Sequence, residues 1–133
     1  MIVKTLYRVK FYDTDTMSVV HHSNYIRWFE TGRVEFLRAI EIDLNEMMSD
    51  GILFPIVEIG AKFHAPAHFD DELEIETAPE ALTKAKMQFS YKIRRLGEEK
   101  VLAEGNSMNV FTHDGKICRL PDKYFNKLVK GLQ

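Results

Sequence analysis

The sequence predicts an α+β fold in which one long central helix is wrapped by a curved antiparallel sheet of about five strands. The prediction rests on two changes in the spacing of apolar residues. Near the N-terminus they recur at every second position, from Tyr25 at every third or fourth, and after Gly51 at every second again. Because there is one long helix and one sheet, the apolar stripe of the helix must pack on the sheet.

The first strand is predicted from Val3 by apolar residues that alternate with basic ones as far as Phe11. The long helix is predicted from about residue 23 to residue 40, with Ser23 or Asn24 as its N-cap. Gly32 lies in the middle of this helix, where glycine costs roughly 1 kcal/mol relative to alanine. Two interpretations of Gly32 stay open: a close approach of the helix to the sheet, or a tolerated weak point.

Four further strands are predicted at about residues 54–63, 72–77, 84–94 and 101–112, joined by short turns that favour antiparallel pairing. An 18-residue helix is ~27 Å long, and a twelve-residue strand is ~40 Å long. The longest strand can therefore curl around the helix. A short C-terminal helix is predicted to begin at Pro121, since proline suits a first helical turn.

The composition is that of an ordinary globular chain and excludes several classes of function. Of the 133 residues, 45% are hydrophobic and 29% are charged, which predicts a single domain over residues 1–133. A net charge of −2 favours neither a nucleic-acid nor a membrane partner. The single cysteine, Cys118, forms no intrachain disulfide and is interpreted as inert. With no apolar secretory run at the N-terminus, we expect a cytoplasmic protein.

The turn between the first strand and the long helix carries the residues that acyl transfer requires. The stretch FYDTDTMSVVHHSNYIRWFE places Asp13 and Asp15 before the helix, and His22 and Ser23 at its start. A carboxylate here can act as general base or as nucleophile towards an acyl carbon. Free N–H groups at the helix start can hold a developing oxyanion. The spacing alone, however, favours an ordinary Asx turn followed by a histidine that caps the helix.

A series of motifs resembles the 4-hydroxybenzoyl-CoA thioesterase-like branch of the hotdog-fold acyl-CoA thioesterases. They are YDTD at 12–15, VVHHSNY at 19–25, WFE at 28–30 with Arg33, FHAPA at 63–67, DEL at 71–73, FSYKI at 89–93 and RLP at 119–121. The resemblance covers nearly the whole chain. It implies a hotdog fold and a homodimer or homotetramer with active sites at the subunit interfaces. It also implies no metal and no separate cofactor, since coenzyme A is part of the substrate.

The resemblance separates the residues of the turn by role. It gives Asp15 the position of the catalytic carboxylate and His22 that of an assisting histidine, while Asp13 supports the turn. Tyr25 would line the acyl pocket or fix the start of the helix, and Ser23 would bind substrate through the helix-start N–H groups.

Two positions depart from the pattern of the family. Many relatives have a glycine where this chain has Met17-Ser18, so the resemblance leaves the geometry of the turn open. Position 21 is commonly aromatic, whereas here it is His21, which is interpreted as surface variation.

A cationic strand face supplies the other candidate substrate-binding residues, which are Lys84, Lys86 and Arg94, beside Lys92. This face is either the solvated outer side of an antiparallel sheet or a bed for the phosphates of coenzyme A. The resemblance implies that coenzyme A binds near this region, and the two interpretations stay equal.

Two further clusters are interpreted as structural. Glu30 is predicted to be partly buried and to pair with Arg27 or Arg33, because a buried carboxylate is costly without a partner. His64 and His68 are separated by Pro66 and lack a nearby thiolate, so they are interpreted as loop histidines rather than as metal ligands.

The sequence therefore predicts hydrolysis of an acyl-CoA thioester to a carboxylic acid and coenzyme A. An acyl-thioester hydratase or dehydratase is an alternative, although such enzymes usually place a histidine and a carboxylate on or opposite the helix. A non-catalytic acyl-carrier or envelope-associated interaction module is a third reading, which the presence of Asp15 and His22 disfavours.

Overall fold

The computed structural model describes residues Met1–Gln133 and has the predicted architecture of a long helix in an antiparallel sheet. Its strands are β1 (Val3–Arg8), β2 (Ile52–Leu53), β3 (Ile56–Phe63), β4 (Glu72–Leu82), β5 (Lys86–Arg95), β6 (Val101–Val110), β7 (Thr112–His113) and β8 (Lys116–Ile117). Its helices are α1 (His22–Ala39), α2 (Leu44–Ser49) and α3 (Asp122–Gly131). The long helix lies within one residue of its predicted bounds at each end.

Five strands form one antiparallel sheet in the order β1-β4-β5-β6-β3. The β4–β5 and β5–β6 pairs are neighbours in sequence, as the short turns predict. The β3 strand instead pairs with β6 and lies at the edge opposite β1. The connection at residues 64–71 therefore joins β3, at this edge, to β4, which lies beside β1 near the opposite edge. Because β3 and β4 do not pair, the expectation of a short turn between paired strands is wrong there.

The shorter elements were not predicted. Helix α2 has six residues, and its N-cap Asp43 accepts hydrogen bonds from the N–H groups of Asn45 and Glu46. Strands β2, β7 and β8 form a separate three-stranded sheet. The first strand also ends earlier than the alternation suggests, because Phe11 begins a 3-10 turn and its side chain is 75% exposed. None of the helices combines the length and the apolar character that a membrane crossing requires.

Gly32 marks a close approach of α1 to the sheet. A Cβ atom added at Gly32 would lie 2.9 Å from Ile75 Cγ2 and closer still to Thr77 Oγ1. Both contacting residues belong to β4 and are fully buried. The first of the two interpretations of Gly32 is therefore confirmed: its missing side chain lets the helix backbone approach the sheet.

Arg33 is buried on α1 without a carboxylate partner. Its Nη1 donates a hydrogen bond to the Tyr91 hydroxyl at 3.1 Å, and that hydroxyl lies 2.5 Å from Ser107 Oγ. Glu30 is exposed and forms no ion pair within the chain. The predicted pairing of Glu30 with Arg27 or Arg33 is therefore wrong, because an exposed carboxylate stays hydrated and needs no counterion.

Candidate active site

Asp13 ties the end of the first strand to the start of α1. Its buried carboxylate accepts hydrogen bonds from the Tyr7 hydroxyl at 2.8 Å and from the Lys10 N–H at 2.9 Å. Its carbonyl oxygen accepts from the His21 N–H at 3.1 Å and from Asn24 Nδ2 at 2.8 Å. These contacts fit the supporting role expected for Asp13, because they use both its side chain and its backbone to hold the turn against the helix.

Replacing Tyr7 with phenylalanine is expected to lower the free energy of unfolding by about 1 kcal/mol at neutral pH, the usual net contribution of such a hydrogen bond. Burial, and then the hydrogen bond to Asp13, raise the pKa of Tyr7 above its ordinary value. In the unfolded chain this tyrosine ionises first, so its contribution is complete below about pH 10 and is lost as the pH rises further.

Denaturant unfolding of wild type and Tyr7→Phe at pH 7 and between pH 9 and 11 measures both effects. Burial also raises the pKa of Tyr25 and of Tyr124, so several tyrosines lower the free energy of unfolding of the wild type as the pH rises. The difference in the free energy of unfolding between wild type and Tyr7→Phe isolates the contribution of Tyr7, and this difference should shrink above about pH 10. Parallel pH profiles would contradict the assignment.

Asp15 lies in a tight turn that leaves half of its carboxylate free. Its backbone N–H donates to the Val19 carbonyl at 2.9 Å, and its carbonyl accepts from the Ser18 N–H at 3.1 Å. Its Oδ1 accepts from the Met17 N–H at 2.8 Å, which is the Asx turn that the spacing favours. Asp15 Oδ2 has no hydrogen bond within the chain, and the side chain is exposed. The Asx turn therefore holds the carboxylate and leaves one oxygen for chemistry.

The backbone at Ser18 adopts the conformation for which the resemblance implies a glycine in the Met17-Ser18 stretch. Its φ angle is +65°, in the left-handed region. A residue with a Cβ atom costs roughly 1–2 kcal/mol in this conformation, and glycine is free of that cost. The turn thus keeps the conformation that glycine favours although serine occupies the position.

His21 is the N-cap of α1. Its backbone is extended, and its Nδ1 accepts a hydrogen bond from the Ser23 N–H at 3.2 Å. The prediction that Ser23 or Asn24 caps the helix is therefore wrong, as is the interpretation of His21 as surface variation. Histidine was missed because the side chains that usually cap helices are those of serine, threonine, aspartate and asparagine.

This cap decides which helix-start donor is open. Of the two N–H groups expected to hold an oxyanion, that of Ser23 is engaged by His21. The N–H of His22 has no hydrogen bond within the chain. The candidate oxyanion donor is therefore the His22 N–H, and Ser23 holds no open backbone donor at this position.

His22 and Tyr25 line one cavity of about 320 Å³. Its other lining residues are Val20, Phe63, His64, Ala65 and Pro66. The Tyr25 hydroxyl accepts a hydrogen bond from the Ala67 N–H at 3.0 Å, which joins α1 to the β3–β4 connection. Both roles expected of Tyr25, lining a pocket and fixing the helix start, are compatible with this geometry.

Asp15 lines a different cavity, of about 780 Å³. The residues around it are Phe11, Thr14, Thr16, Ser18, His68 and Phe69. The rings of Phe11 and Phe69 meet edge to face with their centroids 5.6 Å apart, and both are more than half exposed. A single chain thus places Asp15 and His22 in neighbouring but separate cavities.

Together the two cavities include residues from the end of β3 and from the β3–β4 connection for which the sequence predicts no site role. Phe63 and His64 line the cavity of His22, and His68 and Phe69 line that of Asp15. The motif FHAPA carried a signal for this, since it belongs to the resemblance. It marks the segment as part of the resemblance, but does not indicate which cavity each side chain faces.

Lys84 is occupied in holding the C-terminal helix. It precedes β5, its ammonium group lies 2.6 Å from Asp122 Oδ1, and it lies 5.4 Å from the centre of the Phe125 ring. Its prediction as part of the cationic strand face is wrong, because the strand begins two residues later and Lys84 faces α3.

The remaining cations divide between paired and free. Arg94 pairs with Glu76 on the neighbouring strand β4 at 3.3 Å, which suits the interpretation as an outer sheet face. The ammonium group of Lys86 has no ion-pair partner within the chain. Of the three residues expected to contact coenzyme A, only Lys86 has an uncompensated charge.

A long helix held in a curved antiparallel sheet, with an aspartate turn at the helix start, defines a hotdog-fold enzyme of the thioesterase class. The chain belongs to the thioesterase-like superfamily, whose family model matches residues 9–128. The resemblance that the motifs carry is therefore confirmed at the level of the family and the fold.

Individual proteins support the same assignment. A protein of Aquifex aeolicus (strain VF5) named "Putative esterase" is 32% identical over 121 residues, which cover 91% of this chain and 93% of that protein. The acyl-CoA thioester hydrolase YbgC of Escherichia coli O6:H1 is 31% identical over 86 residues, covering 65% of this chain and 64% of YbgC. The crystal structure of a hypothetical protein from Thermus thermophilus superposes with a TM-score of 0.92 at 32% identity and 98% coverage of both chains.

Proposed function

We propose that this protein hydrolyses acyl-CoA thioesters to a free carboxylic acid and coenzyme A, with Asp15 and the start of α1 as its catalytic centre. The observation that carries the proposal is that an oriented, half-free carboxylate and an open N–H occur on the same short segment. The similarity to a named acyl-CoA thioester hydrolase supports coenzyme A as the carrier of the acyl group.

The open groups suit the two charges that develop in the reaction. As general base, Asp15 takes a proton from a water molecule that attacks the thioester carbon, and the carbonyl oxygen becomes an oxyanion. The His22 N–H donates to that oxyanion at the positive end of the helix. Collapse breaks the carbon–sulfur bond, the thiolate leaves with the coenzyme, and the proton returns to it. As nucleophile, Asp15 would attack the same carbon, and the carbon–sulfur bond would break to release the thiolate of coenzyme A. Water would then cleave the resulting anhydride, which frees the carboxylic acid and regenerates Asp15, and the proton that water gives up goes to the thiolate.

The proposed enzyme is a homodimer or homotetramer whose active sites lie at subunit interfaces. Strand β3 is an edge strand, and four of its apolar side chains are exposed, those of Ile56, Val57, Ile59 and Phe63. An apolar edge of this kind is a ready template for pairing with a second copy. The separate cavities of Asp15 and His22 support a site completed by a partner. Sedimentation equilibrium measures the number of subunits.

The proposed chemistry uses no metal and no separate cofactor. Its base, its oxyanion donor and the His22 side chain that is expected to assist them all come from the chain itself. Incubation with a strong chelator followed by the thioesterase assay should leave the rate unchanged, and a loss restored by a divalent cation would contradict this part of the proposal.

The deciding experiment is thiol release from a panel of aliphatic and aromatic acyl-CoAs, with product analysis on an enoyl-CoA in parallel. We expect free coenzyme A from at least one saturated or aryl thioester. If no member of the panel releases thiol while the enoyl-CoA gains water, the hydratase alternative replaces the proposal. A chain that turns over no thioester contradicts the enzymatic function altogether.

A further inference from the structure

The His21 side chain makes two contacts at once at the start of α1. Its Nδ1 accepts from the Ser23 N–H at 3.2 Å and lies 2.8 Å from Ser23 Oγ. Its ring lies against the ring of His22, with centroids 4.1 Å apart and planes inclined by 32°. One imidazole thus caps the helix with a nitrogen atom and covers the neighbouring imidazole with its face.

The same residue controls the donors that surround His22. The His21 carbonyl accepts from the Asn24 N–H at 3.0 Å, and its Nδ1 takes the Ser23 N–H. Two of the first three N–H groups of α1 are therefore engaged by His21, and only that of His22 is left open. A substrate oxygen at this helix start meets a single defined donor instead of three competing ones.

The contact between the His21 and His22 rings also restricts the His22 side chain. Besides His21, the His22 ring has an edge contact with Phe63, at a centroid distance of 6.1 Å. The exposed His22 ring is therefore held between two aromatic neighbours rather than turning freely in solvent. The nearer and better aligned of these neighbours is His21.

The helix cap requires one tautomer of the His21 ring. A ring nitrogen that accepts a hydrogen bond carries no proton, so the neutral His21 ring carries its proton on Nε2. Only this tautomer can cap the helix. The backbone N–H of His21 is itself bonded to the Asp13 carbonyl, so the ring is joined to the turn that carries Asp15.

We propose that His21 is a positioning residue that holds the His22 ring and leaves the His22 N–H as the one open donor of the active site. The inference rests on the proposed thioesterase function for its effect on turnover. It rests on the geometry of His21 alone for the orientation of His22. His21 touches no substrate in this assignment and acts through its neighbour.

Three substitutions separate the two contacts. His21→Asn keeps an acceptor suited to an N-cap but removes the ring. His21→Phe keeps a ring that can stack on His22 but removes the acceptor, and His21→Ala removes both. His113→Asn is the matched control, since His113 is an exposed histidine in strand β7, away from both cavities.

We expect His21→Ala to lower kcat on the best acyl-CoA about tenfold with little change in KM, because small errors in the position of a catalytic group are costly. His21→Asn should restore the melting temperature but not kcat, and His21→Phe should restore more of kcat than of the melting temperature. His113→Asn should have the kcat, KM and melting temperature of the wild type. If His21→Asn has wild-type kcat, His21 is only a helix cap and the proposal is overturned.

Long-range ¹H–¹⁵N correlation spectra give a readout independent of turnover. In the wild type we expect His21 with an unprotonated Nδ1, and His22 ring signals that shift in His21→Ala but much less in His21→Phe. Should the wild type hydrolyse no thioester, the proposed function fails while these spectra still decide the positioning role. His22 signals unchanged in both variants would overturn it.

Discussion

Replacing Asp15 with asparagine is expected to lower kcat for acyl-CoA hydrolysis by about 10²–10⁴-fold, the range for losing a general base. The change is small in shape, and the amide oxygen can still accept the hydrogen bond that the Met17 N–H now gives to Oδ1. The free oxygen, Oδ2, is replaced by an NH₂ group that can neither take a proton nor attack a carbon. The turn should therefore survive while the chemistry is lost.

Asp114→Asn provides the matched control. Asp114 is also an exposed aspartate at a turn with a positive φ angle, but it lies between β7 and β8 and lines neither cavity. We expect Asp114→Asn to turn over substrate at the wild-type rate. We expect Asp15→Asn and Asp114→Asn both to have the melting temperature of the wild type. If Asp15→Asn hydrolyses every thioester of the panel at the wild-type rate, Asp15 is neither base nor nucleophile.

The parts of the fold that the sequence predicts are those whose pattern repeats several times. Helix α1 shows its apolar spacing over 18 residues, and β5 alternates over 10, so a single exception does not hide the period. Helix α2 has six residues, fewer than two turns, and its three apolar residues are too few to establish a period. The edge position of β3 was missed for a different reason, because strand order depends on contacts between distant segments.

The candidate site likewise combines features that a sequence pattern predicts with features that depend on contacts in the folded chain. The different environments of Asp13, which is buried, and Asp15, which is exposed, fit the different roles that the resemblance implies for them. A family pattern can distinguish two aspartates by their order along the chain. The partners of Lys84 and of the Ser23 N–H could not be predicted. Lys84 meets Asp122 through a tertiary contact, and the Ser23 N–H meets the His21 ring through the rotamer of that side chain. A residue type indicates what chemistry a group can perform, whereas its neighbours decide whether that group is free to perform it.

Replacing Gly32 with alanine is expected to lower the free energy of unfolding by about 2 kcal/mol, although alanine is the better helix former. The helix gains roughly 1 kcal/mol from the substitution. Against this, the new methyl group would overlap two fully buried side chains of β4, those of Ile75 and Thr77. Overpacking in a close-packed interior costs typically 1–3 kcal/mol. We expect the upper end of this range, about 3 kcal/mol, because neither neighbour is the flexible end of a long side chain.

The melting temperature should fall by about 7 °C, which calorimetry measures directly. Thr31→Ala is the control on the same helix: Thr31 is not fully buried, and alanine there should leave stability unchanged or slightly raised.

A double-mutant cycle with Thr77→Ala tests the stated cause. The Thr77 hydroxyl is buried without a hydrogen-bond partner, so its removal leaves no other group unpaired. If the overlap with Thr77 destabilises Gly32→Ala, the double variant should recover about 1 kcal/mol relative to the sum of the single changes. The Ile75 contact persists in the double variant, so recovery should be partial. Strict additivity would mean that the helix moves away from β4 instead of pressing on Thr77.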